Sequence, residues 1–243
     1  MNETTPHKLR WALALGCAMA IMLASTSAFA DDDPTRGIFE FKLGPYNPQV
    51  DAAFDGDGPY GQFFGDRTML YGELAFERNL WQKFGTFAVG GHLGYGRVSA
   101  PVLDQDGNII DGEERSSLRI IPLRASAIYR YDYSARHHNI PLVPVAKLGL
   151  NYYLWRVVDA GSDTAVGDDG SQGSGGMLGW QATLGLHFDL GVLDPRREAS
   201  MNINWGISTT YLFAEYTWSR TGMFNDTINL SANHWAIGLA FEF

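Results

Sequence analysis

The sequence predicts an all-β protein: an eight-stranded antiparallel up-and-down transmembrane β-barrel with long outer loops and short periplasmic turns. Three observations predict this fold. Segments of the chain alternate between apolar and polar residues with a period of two, the connections between these segments alternate in length, and aromatic residues gather near the segment ends.

The first 30 residues have the order of a cleavable secretory signal peptide. A basic stretch precedes an apolar run from Trp11 to Leu23, and small residues follow up to Ala28-Phe29-Ala30. We therefore expect cleavage before Asp31, so that residues 1–30 form the signal peptide and residues 31–243 form a single barrel domain. A membrane anchor is the alternative, but the apolar run is shorter than the roughly 20 residues that a spanning helix needs.

Cysteine content and charge limit the possible functions. Cys17 is the only cysteine and lies in the signal peptide, where a lipoprotein signal is a weaker alternative because the residues before it fit poorly. Residues 31–243 therefore have neither a disulfide framework nor a cysteine metal site. The full chain has 18 basic and 27 acidic residues, and the first 30 residues contain two of the basic and one of the acidic residues. Residues 31–243 therefore carry a formal charge of −10, which argues against nucleic acid as a partner.

The alternation is clearest between Leu178 and Leu190, where even-numbered residues are apolar and odd-numbered residues are polar or glycine. A period of two over this length indicates a strand with one apolar and one polar face. Such a strand needs only about 9 to 11 residues to span a membrane. Eight segments show the pattern: 39–44, 70–77, 87–95, 123–131, 146–152, 178–190, 202–213 and 235–243.

A soluble β-sandwich or a lipocalin-type barrel would also alternate, so further features are needed to identify lipid as the surroundings. The connections are long at 47–67, 99–116 and 158–176, and short at 78–83 and 132–139, which is the rhythm of outer loops and periplasmic turns. The polar faces carry acidic and basic groups in near balance, so that they can pair inside a narrow lumen. We predict a lumen charge network of Glu40, Lys42, Glu73, Glu77, Arg124, Arg130, Lys147, Asp189 and Glu242.

Aromatic residues favour lipid as well, because outer-membrane barrels have an aromatic girdle at each membrane interface. The predicted outer girdle consists of Tyr95, Tyr152, Trp155, Phe213, Tyr216 and Trp218. The predicted periplasmic girdle consists of Trp81, Tyr129, Tyr131, Tyr133, Phe188 and Phe241. Pro122 and Pro144 depart from the ideal strand pattern, and we expect both near strand ends, where a bulge can absorb them.

The last segment resembles the C-terminal assembly signal of bacterial outer-membrane barrels, with a terminal Phe and apolar residues at alternate positions. Its residues are Trp235, Ile237, Leu239, Phe241 and Phe243. Residues 37–243 are similar in pattern to the small barrels of the OmpW, OmpX and OmpA transmembrane group. The segment Phe41–Asp51, with Pro59-Tyr60 and Phe64-Gly65, is similar to an uncharacterised barrel family of myxobacteria. These resemblances imply an outer-membrane location in a Gram-negative bacterium and recognition by the barrel assembly machinery.

The chain offers little that predicts catalysis or a cofactor. Barrels that resemble lipid A deacylases place a serine and a histidine on the lipid face, whereas His92, His187 and His234 have the inward register here and His137-His138 lies in a turn. We therefore predict no catalytic residues, and we find no nucleotide, flavin or haem motif. Asp104-Gln-Asp106-Gly107-Asn108 is spaced like the start of a calcium loop, but Ile109 and Arg115 break the pattern, so we predict an acidic, solvated loop and no metal.

Three classes of function follow. The first is an integral outer-membrane barrel with a structural or surface-interaction role, whose lumen is largely filled by polar and charged side chains. The second is a narrow OmpW-like channel or carrier for small, possibly hydrophobic solutes, because inward glycines could leave space. The third is a lipid-modifying enzyme. The predicted partners are outer-membrane lipid, lipopolysaccharide and the barrel assembly machinery, without a cofactor.

Overall fold

A computed structural model of the chain describes residues 37–53, 59–65, 67–101, 115–158, 164, 173–222 and 229–243. The predicted signal peptide with its cleavage site, the acidic segment 104–114 and most of the glycine-rich connection before Met177 lie outside the described residues.

Eight strands form a closed barrel in which every strand pairs with its neighbours in sequence. The ring closes because the first strand pairs antiparallel with the last, with Phe39 opposite Phe241. The strands are β1 Gly37–Tyr46, β2 Met69–Gln82, β3 Thr86–Pro101, β4 Arg115–Arg130, β5 Leu142–Val158, β6 Ser174–Asp189, β7 Thr209–Thr221 and β8 Ala232–Glu242. The predicted fold class is confirmed.

The barrel has its apolar side chains outside and its charged side chains inside. On β1, Phe39, Phe41 and Leu43 are about 40% exposed, whereas Glu40 and Lys42 between them are buried. The same alternation continues around the ring in the other strands. Water would not stabilise an apolar outer face of this extent, whereas lipid does, and the closed ring leaves no sheet edge unpaired in the bilayer.

Four connections join the strands at one end of the barrel, whereas Gly37, Phe243 and three connections lie at the other end. Residues 47–68, 102–114, 159–173 and 222–231 connect strands at the long-loop end, which we call the outer end. The opposite, periplasmic end holds Gly37 and Phe243, whose backbone groups bond to each other. None of the helices in the described part is long and apolar enough to cross a membrane.

The prediction of short periplasmic turns is correct only for residues 83–85. Residues 131–141 contain a helix, and residues 190–208 contain a longer one. The helices are numbered in chain order: α1 Pro59–Phe64 in the first outer loop, which also holds a 3-10 turn at Val50–Ala53, then α2 Tyr133–His138 and α3 Pro195–Trp205 at the periplasmic end.

The position predicted for the seventh strand is wrong. Its first four residues, 202–205, lie in α3. This helix begins at Pro195, a residue suited to a first helical turn, and ends before Gly206, whose φ of 69° is the left-handed conformation that stops helices. Ile203 and Trp205 alternate with polar residues in the sequence, but they lie on this helix. The strand itself begins at Thr209 and continues to Thr221 with Phe213 facing inward, opposite to the predicted register.

Two further predictions need correction. Pro122 lies in the middle of β4, not near its end, and no bulge accompanies it. Instead, the pairing of β3 with β4 is interrupted between Leu93↔Leu123 and Gly96↔Ile120, because proline has no N–H to donate. Of the predicted outer girdle, Phe213 faces the lumen and Trp155 packs against the buried residues at the outer end. Pro144, by contrast, is the third residue of β5, near its end as expected.

The corrected register predicts how lysine substitutions differ in cost. Leu184 lies on the lipid face of β6, so Leu184→Lys should destabilise the refolded protein by about 2 to 4 kcal/mol, the usual cost of a charge near the bilayer midplane. Ile203 is 83% exposed on α3 at the periplasmic end, so Ile203→Lys should cost no more than about 1 kcal/mol. Urea unfolding from lipid vesicles measures both, and equal losses would show that the segment around Ile203 crosses the membrane as a strand.

Candidate functional site

The candidate site is the lumen, because the strand alternation directs charged side chains from β1, β2, β4, β5 and β7 into it. A spacing of four residues puts Glu73 and Glu77 on the same face of β2, and the same rule brings other charged residues inward in pairs. In an eight-stranded barrel the interior is just wide enough for side chains to fill, so side chains on opposite strands can meet across the axis.

Lys147 is the centre of the charge network. It extends from β5 to the far side of the barrel, where its Nζ lies 2.6 Å from a carboxylate oxygen of Glu40 on β1. The same ammonium lies 2.9 Å from Glu77 on β2 and 2.8 Å from Glu215 on β7. One buried cation therefore connects three other strands, and its side chain occupies the barrel axis.

Two further cations, Lys42 and Arg124, extend the network towards the outer end. Lys42 Nζ lies 2.9 Å from Glu73 and 2.8 Å from Glu215, so it links the two acidic groups. Arg124 Nη1 lies 2.8 Å from the other oxygen of Glu73, and its Nη2 donates to the Tyr153 hydroxyl at 3.3 Å. Arg130, closer to the periplasmic end, pairs with Glu77.

The network contains four carboxylates and four cations, each with a side chain no more than 5% exposed. Removing so many charges from water is costly, and only close pairing with well-aligned hydrogen bonds offsets that cost. The members are Glu40, Glu73, Glu77, Glu215, Lys42, Arg124, Arg130 and Lys147.

Seven of the nine predicted lumen residues lie in this network. Glu242 lies below it, where it accepts a hydrogen bond from the Tyr211 hydroxyl at 3.0 Å. Asp189 lies at the periplasmic end of β6 and accepts from the Gly191 backbone N–H at 2.8 Å, so it belongs to a turn. Glu215 is the member that sequence reasoning missed, because the predicted seventh strand stopped two residues before it.

Apolar layers enclose the network at both ends. At the outer end, Tyr46, Tyr71 and Tyr153 are fully buried with Leu230, whose carbonyl accepts from the Tyr46 hydroxyl at 2.6 Å. At the periplasmic end, the inward layer consists of Ile38, Ala88, Ile128, Val143, Val145, Tyr211, Phe213 and Ala240. The lumen is therefore filled in three layers along the described strands.

The first outer loop folds back onto the outer layer through α1. The Tyr60 hydroxyl donates to the Arg67 carbonyl at 2.9 Å, and the Tyr60 backbone N–H donates to Asp51 at 2.7 Å. Burial and, next, the negative charge of Asp51 raise the pKa of Tyr60 to about 12. The phenol thus stays protonated and keeps this donor role at physiological pH.

The lumen also contains three histidines, which contact the network and the apolar layers. His92 Nδ1 lies 3.2 Å from Glu73, and His187 stacks on Phe213 with ring centroids 4.7 Å apart. His234 packs edge-on against Tyr46 at 5.2 Å. His137 lies elsewhere, on α2, where it stacks on Tyr133 at 4.1 Å.

One group of side chains has the composition of a metal site. Glu40, His187 and Glu215 bring potential ligand atoms within 4.8 Å of one another. The ammonium of Lys147 bonds to both carboxylates of this group, so a protein cation already supplies the positive charge that a metal ion would bring.

The fold and this inside-out polarity define the class of the protein, an integral outer-membrane β-barrel. No protein-family model matches the chain, and no curated protein matches it significantly. Among solved structures the chain is similar to small outer-membrane barrels, and identities of 11–14% compare folds only.

Three of these structures illustrate the likeness. Ail, the attachment invasion locus protein of Yersinia pestis, solved with the heparin analogue sucrose octasulfate, is 11% identical with a TM-score of 0.44 over 86% of this chain and 97% of Ail. Neisserial surface protein A is 14% identical with a TM-score of 0.47, over 87% of this chain and 98% of that protein. The N-terminal barrel domain of Pseudomonas aeruginosa OprF is 13% identical with a TM-score of 0.35, over 86% of this chain and 98% of that domain. The narrower resemblance to a myxobacterial family stays a prediction.

Breaking the network should destabilise the barrel. Arg124→Ala removes a cation 2.8 Å from buried Glu73 and should lower the free energy of unfolding by about 3 to 5 kcal/mol. Arg136→Ala is the control, because Arg136 forms a partly exposed i,i+4 pair with Asp132 on α2 that contributes only about 0.5 kcal/mol. Urea unfolding of the protein refolded in vesicles measures both losses. An Arg124→Ala variant as stable as the control would mean that the network does not stabilise the lumen.

Proposed function

We propose that the protein is a closed outer-membrane barrel with a structural or surface-interaction role, exported by the signal peptide over residues 1–30 and assembled as the single domain over residues 31–243. The observation that carries this proposal is Lys147, whose ammonium crosses the lumen and bonds to carboxylates on three strands. Salt bridges cross the axis and the apolar layers lie at both ends of the network, so the protein's own side chains occupy the interior.

The inward glycines support a closed lumen more than a channel. A Cβ on Gly94 would collide with Tyr71, and one on Gly238 would collide with Phe213. A Cβ on Gly149 would meet Ser126 and the backbone of the adjacent strand. These glycines accommodate large neighbours inside the barrel, so they do not open a path for a narrow-channel or carrier function.

We also propose that the barrel has no catalytic role. His92, His187 and His234 lie in the lumen between salt bridges and tyrosines, where a lipid acyl chain does not pass. A lipid-modifying enzyme would need its nucleophile and base on the outer face, where its substrate lies. The described outer faces of the strands present mainly apolar residues, with arginines and a few polar residues such as Ser99 and Asn233 near the strand ends, and His92, His187 and His234 are not among them.

Channel recordings test the closed lumen. In planar bilayers, refolded residues 31–243 should give no discrete conductance steps, whereas Lys147→Ala, which removes the side chain that occupies the axis, should admit ions or fail to form a heat-resistant barrel. Recordings with and without lipopolysaccharide separate a lipid-gated pore from a closed one. Reproducible steps in the unmodified protein would support the channel or carrier function instead.

We propose that the C-terminal residues act in assembly. Five alternate residues of β8 and the position after it face outward: Trp235, Ile237, Leu239, Phe241 and Phe243. The Phe243 ring lies 6.1 Å from Phe76, and the backbone of Phe243 bonds to Gly37, the residue that begins β1. A terminal aromatic at this closing seam is accessible before the ring forms and can be read by the barrel assembly machinery.

Phe243→Ala should lower the amount of protein inserted in cells several-fold and leave unfolding in detergent nearly unchanged, because a half-exposed Phe contributes at most about 1.5 to 3 kcal/mol. Phe87→Ala is a matched control, since Phe87 is 39% exposed and Phe243 is 38% exposed, but Phe87 lies on β3, away from the closing seam. Membrane fractionation after expression measures insertion. Normal insertion of Phe243→Ala, or equal loss for both variants, would contradict an assembly role.

A further inference from the structure

Three arginines form a row across adjacent strands at the outer end of the barrel. The strand register pairs Arg97 on β3 with Arg119 on β4, and Arg119 with Arg156 on β5. Adjacent strands are about 4.8 Å apart, so the Cα atoms of the three arginines lie within about 10 Å of one another.

The row lies on the lipid-facing side of the sheet. Arg97 alternates with buried Val98, and Arg119 alternates with buried Leu118 and Ile120, which point into the barrel. Arg97 and Arg156 are exposed, and Arg119 is half-buried between them. The row lies within a few residues of the outer ends of β3, β4 and β5, the depth at which lipid headgroups meet the barrel.

Like charges directly opposite each other on neighbouring strands destabilise a sheet unless an anion compensates them. Within the described residues, the row has hydroxyl partners only: Arg97 Nε donates to Ser99 Oγ at 3.2 Å and Arg156 Nε donates to Thr164 Oγ1 at 2.7 Å. The Nε of Arg119 is buried and has no hydrogen-bond partner there. The described carboxylates of the strands have the inward register, so none lies beside the row: Glu40, Glu73, Glu77, Asp189, Glu215 and Glu242.

An apolar groove of about 690 Å³ reaches the first arginine of the row from the membrane side. Gly72, Glu73 and Gly94 line its floor, and Arg97 also lines it. Gly72 has the outward register, so the absence of a side chain there leaves the outer face hollow. Its walls are Phe41, Leu43, Leu70, Leu74, Leu93, Tyr95 and Ile121. An acyl chain fits such walls, and a charged group attached to that chain would lie against the arginines.

We propose that this face binds a phosphorylated, acylated glycolipid of the outer leaflet, of the lipopolysaccharide type, with its phosphates on Arg97, Arg119 and Arg156 and an acyl chain in the groove. Planar guanidinium groups bind phosphate through paired, charge-assisted hydrogen bonds, and the phosphate supplies a counter-charge that no described strand residue beside the row provides. The groove selects an acylated molecule over a free phosphate ion. This proposal rests on the outer-membrane location in the proposed function, and it does not depend on a closed lumen.

The test uses refolded residues 31–243 and two lipids as probes, diphosphoryl lipid A and the same lipid with its phosphates removed. The unmodified barrel should bind the phosphorylated lipid at least about tenfold more tightly, as expected from one or more charge-assisted hydrogen bonds. Free inorganic phosphate at the same concentration should not compete. The triple variant Arg97→Gln/Arg119→Gln/Arg156→Gln should lose the preference for phosphate and keep its residual affinity for the dephosphorylated lipid.

A second triple variant controls for charge. Arg78→Gln/Lys83→Gln/Arg196→Gln removes three cations from the periplasmic end and should keep the tenfold preference. Heat-resistant migration on gels shows that each variant is folded. No preference in the unmodified barrel, an undiminished preference in the first triple variant, or competition by inorganic phosphate would overturn the proposal. A conducting lumen would contradict the closed barrel but would not change any of these binding results.

Discussion

The ion pairs of Lys147 are the interaction on which the rest of this barrel depends. A lysine ammonium buried in a narrow lumen is stable only if carboxylates surround it, and here Glu40, Glu77 and Glu215 do so from three strands. Two of these carboxylates have a second cation, since Glu215 also pairs with Lys42 and Glu77 also pairs with Arg130. Lys42 extends the network to Glu73, which pairs with Arg124. Because each pair joins different strands, the network specifies the register of the ring: a shift of one residue would turn these charges towards lipid.

The two environments of the barrel divide the chemistry of the chain. Inward positions hold charged groups, hydroxyls and tyrosines, many of which pair with one another, and outward positions hold the apolar residues that lipid solvates. In the part of the chain that the structure describes, outward arginines such as Arg97 and Arg156 lie near the strand ends, where the headgroups begin. The same alternation therefore produces both the closed interior and the cationic outer rim, and these two features carry the structural role and the lipid recognition that we propose.

Much of the fold could be predicted from the sequence because a period of two is a local signal. Residues such as Leu184 and Lys147 have side chains whose direction follows directly from strand parity. The prediction failed where that parity was imitated by chance: Ile203 and Trp205 alternate with asparagines, yet Pro195 and Gly206 delimit a helix. Glu215 was missed because the predicted seventh strand, placed too early over Ile203 and Trp205, stopped at Phe213, whereas the strand continues to Thr221. Which charges contact each other across the axis depends on the closure of the ring, and no local pattern contains that information.

The most direct test of this account is the coupling free energy between Lys147 and Glu40 across the barrel axis. Urea unfolding of the unmodified protein, Lys147→Met, Glu40→Gln and the double variant, all refolded in lipid vesicles, closes the double-mutant cycle. We predict a favourable coupling of at least about 1.5 kcal/mol, the lower range measured for close charge pairs removed from water. A coupling near zero would contradict the account, because it would mean that the two side chains do not meet in the lumen and that the network does not hold the barrel together.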